Sequence, residues 1–243
     1  MSVEARAFTA PEPAADALAA QDLFTLGRQA SAARDARLGR RGTFVRARQL
    51  LAGGAWRGPR DAAESYVEAA DLAAIGGPEA AVAAGVGLFV GANLDEARGA
   101  AAAGLRIVLR LPFQVGEDDQ TRLAALAAID AARFEVWGLL PAPVGEPYGL
   151  DTLRLFALAR LALPRVPHLL ADVGTLGPRL GQMVFGFGAD ELFAPIVSER
   201  ALRLGANAHN PALTRKEAAT LIRGAGLTPG ERFADGTIEE VSA

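Results

Sequence analysis

The sequence predicts an α/β fold, an incomplete or distorted TIM-type (β/α) barrel of about six parallel strands. Three observations point there. From residue 86 onward, short apolar runs alternate with helical patterns across short connections, as parallel strands with helical crossovers require. A chain of 243 residues, 51% of them apolar, suits one domain with a sizeable core. No repeat of fixed period, low-complexity tract or flexible linker divides it. The expected organisation is one barrel-like domain over 1–243, with a helical segment at 1–42 and a helical tail at 206–243. An open, doubly wound sheet is the alternative.

The first helix is predicted over 11–37, started by the capping-box pattern Thr9-Ala10-Pro11-Glu12 and carrying Leu18, Leu23 and Leu26 on its apolar face. Gly39 and Gly42 end it; a first strand over 43–49 and an irregular connection over 50–60 follow. Next come an amphipathic helix over 61–74, a shorter helix over 78–84 and a buried strand over 86–90. Asn93 caps a helix ending at Gly104, a strand occupies 106–113, a helix 118–132 and a strand 135–141. Asp151 starts a helix through Leu153, Phe156, Leu158 and Leu161 that Pro164 and Pro167 end. A strand over 168–173 leads into the turn Gly174-Thr175-Leu176-Gly177-Pro178, which opens a helix stopped at Gly188. A last strand covers 192–197. In the tail, Thr214-Arg215-Lys216-Glu217 is a second capping box, Gly224 or Gly226 stops that helix, and Pro229 prevents its restart.

Composition excludes several function classes. A formal charge of −3 and a pI of about 5.5 give no basic field for nucleic acid. The positive charges are almost all arginine and are spread along the chain, Lys216 being the only lysine. No run approaches the ~18–20 apolar residues of a membrane span, and the first residues lack a basic-then-apolar signal, so a cytoplasmic protein is expected. Zero cysteines exclude disulfides, thiolate zinc sites and cysteine-ligated clusters.

An ordered series of short pieces carries a family resemblance. Gly104-Leu105-Arg106, Pro141-Ala142-Pro143, Ala159-Arg160-Leu161, Val166-Pro167-His168, Gly177-Pro178, Gly181-Gln182 and Phe187-Gly188-Ala189 are followed by the tail run over 213–232. In order and spacing they resemble the C-terminal part of the radical SAM enzymes of the futalosine route to menaquinone, aminofutalosine synthase and dehypoxanthine futalosine cyclase. Leu26-Gly27 with Arg34 and Arg37 is similar to the helix before that family's first strand. The departures weigh as much. Where the family has C-x-x-x-C-x-x-C after its first strand, this chain has Gln49-Leu50-Leu51-Ala52-Gly53-Gly54-Ala55-Trp56 and then, by its pattern, a helix. Glu191-Leu192-Phe193-Ala194-Pro195 stands where the family has D-L-D-G-T. The resemblance therefore implies a shortened, cluster-less relative with an opening near 43–61. It implies no iron–sulfur cluster and no reductive cleavage of S-adenosylmethionine, and leaves binding of that cofactor open.

In parallel α/β folds ligands gather at the C-terminal ends of the strands. The polar residues expected there are Arg46, Arg48, Arg110, Gln114, Glu146, Asp172 and Thr175. Arg110 is the most informative, a guanidinium inside an apolar strand that needs either an internal acid, such as Glu146 or Asp172, or an anionic ligand. Arg46 and Arg48 share one strand face by period two, and solvation at a sheet edge explains them as well as ligand binding does. Asp172 and Thr175 form either a helix cap or part of the site, while Asn93 reads as a cap alone. His168 reads as a structural hydrogen bonder, His209 as an exposed loop residue, and the two carry no metal-ligand spacing. Gly174-x-x-Gly177 reads as a tight turn before an anion cradle. No nucleophile elbow, P-loop or acid/base pair stands out.

Three functions compete. The first is a non-catalytic protein that binds a small anionic or nucleoside-like ligand, accessory to menaquinone biosynthesis. The second is a partner subunit or homo-oligomer in which another chain covers the opening. The third is an enzyme with recruited, cluster-independent chemistry.

Overall fold

The computed structural model describes residues 15–132, 134–146, 149–198 and 212–242. The expected capping box at Thr9–Glu12, and His209, lie outside these residues.

Strands β1 (Arg41–Phe44), β2 (Ala47–Leu50), β3 (Trp56–Arg57), β4 (Glu64–Glu68), β5 (Leu88–Gly91), β6 (Arg106–Gln114), β7 (Gly138–Val144), β8 (His168–Asp172), β9 (Glu191–Phe193), β12 (Thr228–Arg232) and β13 (Ile238–Glu240) make one 11-stranded sheet. Its order is β13-β12-β1-β9-β8-β7-β6-β5-β4-β2-β3, so about six strands was an underestimate. All neighbours from β12 to β2 are parallel; only the edge strands β3 and β13 pair antiparallel. A separate parallel pair joins β10 (Ile196–Val197) to β11 (Leu213–Thr214). The expected sequential parallel order holds from β5 through β8.

The sheet curls into a half-barrel. β1 lies beside β9 and β2 beside β4, yet only Val45 and Arg46 separate β1 from β2. The rings of Tyr66 on β4 and Phe193 on β9 meet across the concave side with centroids 5.6 Å apart. Among the described residues no pairing joins β1 to β2 or β3 to β13, so the curled sheet stays open between these two edge strands, and β3 lies within the stretch where the opening was expected.

Alternation along each strand separates two apolar layers. Phe89, Ile107, Leu109, Leu139 and Leu169 face the helices and share a core with Leu126, Leu155, Phe156 and Leu158. Leu88, Val90, Val108, Leu140 and Leu170 face the concave side, with Tyr66, Trp137 and Phe193 beside them. The covering helices are α1 (Ala15–Ala19), α2 (Leu23–Leu38), α3 (Ala69–Leu72), α4 (Pro78–Ala83), α5 (Leu94–Ala102), α6 (Asp119–Asp130), α7 (Gly149–Ala162), α8 (Val173–Met183) and α9 (Arg215–Gly224).

Several boundaries differ from expectation for local reasons. The first helix breaks in two because Asp22 caps α2, its Oδ1 accepting from the amides of Phe24 and Thr25 at 3.0 Å each. The predicted helix over 61–74 contains strand β4, and only the one-turn α3 behind it is helical. At Gly177 (φ 73, ψ 160) α8 kinks, and Pro178 restarts it as a first-turn proline. Among the described residues of the tail, α9 is helical, while β12 runs through Pro229 and enters the sheet beside β1. Thr214 and Glu217 form the expected capping box of α9, and Asn93 caps α5.

Candidate functional site

The two ends of the concave side have different chemistry. Its N-terminal end is plugged by charge. Arg232 grips Glu191 with both arms of its fork, Nε to Oε2 at 2.6 Å and Nη2 to Oε1 at 2.9 Å, while Nη1 lies 3.6 Å from Glu64. Arg106 pairs with the same Glu64, and Thr43 Oγ1 donates to Glu191 at 3.0 Å. Both guanidiniums lie near the Trp137 ring, Arg232 at 4.5 Å and Arg106 at 5.3 Å from its centroid. Burial pushes the Glu191 carboxyl up, but Arg232 outweighs it and holds the group below its usual range. A second buried carboxylate, Asp190, is likewise held low against burial, by Arg160 and by His168, whose Nδ1 lies 2.7 Å from Oδ2. His168 thus has the structural hydrogen bond its position suggested.

At the C-terminal end Arg110 rises from β6 into the mouth. Its Nη2 is 3.4 Å from Glu68 Oε1 and its Nη1 3.9 Å from Asp172 Oδ2, distances at which neither acid holds it firmly. The side chains are 32% (Arg110), 36% (Glu68) and 13% (Asp172) exposed, so all three keep some contact with solvent. Asp172 unites the two roles left open for it. It caps α8, accepting from Gly174 N at 2.9 Å and Thr175 Oγ1 at 2.7 Å, and it faces Arg110. Below them the Tyr66 hydroxyl donates to Gln49 Oε1 at 3.4 Å, and Gln49 Nε2 donates to Asp71 at 3.0 Å. Burial, and then the negative charge of Glu68, push the Tyr66 hydroxyl up to about 12, so it is a neutral donor throughout the physiological range. Gln114 stands exposed at the end of β6, on the strand face that carries Arg110.

Not every expected residue comes to this mouth. Arg46 and Arg48 do share a face, but it is the outer one, because Gln49 between Arg48 and Leu50 is the residue that meets Tyr66. Arg46 pairs with Glu231 and Asp61, and Arg48 stacks on Trp56 at 4.1 Å. Glu146 is exposed in the loop after β7, and Glu68 stands at Arg110 in its place. Glu68, Tyr66 and Gln49 were missed. The signal for Tyr66 and Glu68 was the period-two face Glu64-Tyr66-Glu68, hidden because two acids in a short alanine-flanked run suit a helix as well, whereas Gln49 lay in a recognised strand whose facing was not legible.

No family model matches the chain. It is 36% identical to aminodeoxyfutalosine synthase of Thermus thermophilus over 86 residues, which are 35% of this chain and 23% of that enzyme. Cyclic dehypoxanthine futalosine synthase of Streptomyces coelicolor is 34% identical over 82 residues, 34% of this chain and 20% of the relative. A 5-amino-6-(D-ribitylamino)uracil–L-tyrosine 4-hydroxyphenyl transferase of Methanosarcina barkeri is 31% identical over 100 residues, 37% of this chain and 27% of the relative. The chain thus matches about a quarter of the length of these curated relatives. In fold it is similar to methylornithine synthase (PylB), with a TM-score of 0.65 at 10% identity over 88% of this chain and 92% of that one. HydG, a maturase of [FeFe]-hydrogenase, gives 0.61 at 10% identity over 88% and 71%. The partial relationship to the two futalosine enzymes agrees with the resemblance in the sequence, and these structural neighbours are radical SAM enzymes.

Proposed function

We propose that this chain is a non-catalytic, radical-SAM-like protein that binds a small anionic or nucleoside-like ligand in the mouth above Arg110, accessory to menaquinone biosynthesis. One observation carries the proposal. A guanidinium at the C-terminal end of the concave side is flanked by two carboxylates, neither of which holds it at good hydrogen-bond distance. Arg110 can therefore turn its fork to a ligand carboxylate, while Glu68 and Asp172 accept from ligand hydroxyls or amines. The neutral Tyr66 hydroxyl beneath adds a donor. Such a mixture suits a molecule with both an acidic group and a sugar.

An iron–sulfur cluster does not fit the residues present. The β2–β3 hairpin, where the family's cysteine loop would follow the first strand, offers glutamine, leucine, alanine, glycine and tryptophan side chains and no thiolate. No step is therefore routed through a cluster. A partner-subunit role has less support. The edge strands β3 and β13 are two and three residues long and carry Arg57, Glu239 and Glu240, the means by which edges resist pairing.

The test is calorimetric titration with aminodeoxyfutalosine and cyclic dehypoxanthine futalosine, the compounds that name the two relatives, with adenosine as comparator. Saturable one-to-one binding of either compound, at least about tenfold tighter than adenosine, supports the proposal. No binding of either compound at millimolar concentration refutes it.

A further inference from the structure

A second site lies on the outer face of the sheet. A groove of about 800 Å³ opens where the Gly58–Asp61 loop, β10, the first turn of α9 and the end of β12 converge. That volume is ordinary for a small-molecule site. Its wall is built on one carboxylate. Glu231, only 2% exposed, accepts from Arg215 Nε at 2.7 Å through Oε2 and from Arg46 Nε through Oε1. Two guanidiniums share this one buried acid, and the second charge is balanced only from the solvent-exposed rim, by Asp61. Asp61 on Arg46 offsets that charge weakly, because it stands 76% exposed and its field is screened.

The donors left over point the same way. Both guanidiniums spend their Nε on Glu231, and among the described residues the two Nη groups of Arg215 make no hydrogen bond. Arg215 is half exposed, and Arg60 adds an exposed third guanidinium to the lining. Glu239 on the far rim is exposed and solvated. Apolar walls from Ile196, Val197 and Phe233 complete the groove.

We infer that this groove binds a phosphate monoester, its phosphoryl group on Arg215, Arg46 and Arg60 and its organic body against Phe233 and Ile196. Planar guanidiniums pinned at Nε present their remaining N–H groups in the forked arrangement that phosphoryl oxygens accept. The site is separate from the mouth above Arg110, because Glu231 and Arg232 alternate to opposite faces of β12 and only Arg232 enters the concave side.

The experiment is a 1H–15N NMR titration of the whole chain with phenyl phosphate, inorganic phosphate and phenylacetate. Phenyl phosphate is expected to shift the amides of 196–198, 215–217 and 231–233 saturably and to bind at least about tenfold tighter than phenylacetate. Inorganic phosphate is expected to move the same amides at higher concentration. Arg215→Gln and Arg60→Gln, which remove exposed groups and retain the native far-UV spectrum, are each expected to weaken phenyl phosphate about tenfold. Shifts confined to 66–68, 110 and 172–175, no saturable shift at all, or unchanged affinity in both variants would overturn the inference.

Discussion

Arg232 and Arg110 show how burial decides what an arginine does. Arg232 is buried and held bidentately by Glu191, so removing one partner strands a charge in a place water does not reach. Arg232→Met is expected to destabilise the fold by about 3–5 kcal/mol, read from denaturant unfolding. The same network sets the acid limit. Asp190 and Glu191 have lowered carboxyl pKa values in the folded state, so the stability they confer is fully present above their unfolded values. It is lost as pH falls through the lower folded values. Melting temperature is therefore expected to fall steeply only below about pH 4, where unfolded carboxylates begin to bind protons. A fall of the same size between pH 7 and 5 would assign acid sensitivity to other groups. Tyr66 works in the opposite sense. Its raised pKa makes a contribution that is present below about pH 10 and lost as pH rises toward about 12.

Element boundaries follow local chemistry wherever a cap or a glycine sets them. The Thr214–Glu217 box and the Asn93 cap were legible because their hydrogen bonds are local. Gly177 was legible as a turn, and its φ of 73° explains why glycine stands there. Gly177→Ala is expected to cost about 1–2 kcal/mol and Thr214→Ala about 1 kcal/mol, both measurable by chemical denaturation. Strand β4 was not legible. Its acids Glu64 and Glu68 suit a helix by local propensity, and what favours a strand is distant in sequence: pairing with β2 and β5, and the ion pairs with Arg106 and Arg110, 42 residues away in each case. The same cause hid the site. Asp172, Thr175, Gln114 and Arg110 could be placed because their strands were recognised, whereas Glu68 and Tyr66 were lost with theirs. Arg46 and Arg48 went to the outer face because the register of residues 41–50 depends on pairing with β4, β9 and β12, which no local pattern encodes.

At the scale of the molecule, the curled parallel sheet was legible and its strand count was not, because the strand read over 43–49 divides into β1 and β2, β4 reads locally as a helix, β12 runs through Pro229, and β3 and β13 are too short to announce themselves by periodicity. The curl separates a plugged, internally neutralised end from an open end where one guanidinium faces two loosely held acids. That asymmetry gives the proposed function its place, since charge paired at one end serves stability and charge left accessible at the other serves recognition. The most direct measurement compares the wild-type chain with Arg110→Gln by thermal melting and by calorimetric titration of aminodeoxyfutalosine. With Arg110 a third exposed and loosely paired, the substitution is expected to cost no more than about 1 kcal/mol of stability while weakening the ligand at least about tenfold. A loss of about 3–5 kcal/mol with ligand affinity unchanged would instead make Arg110 a structural partner of Glu68 and Asp172, and would contradict the account.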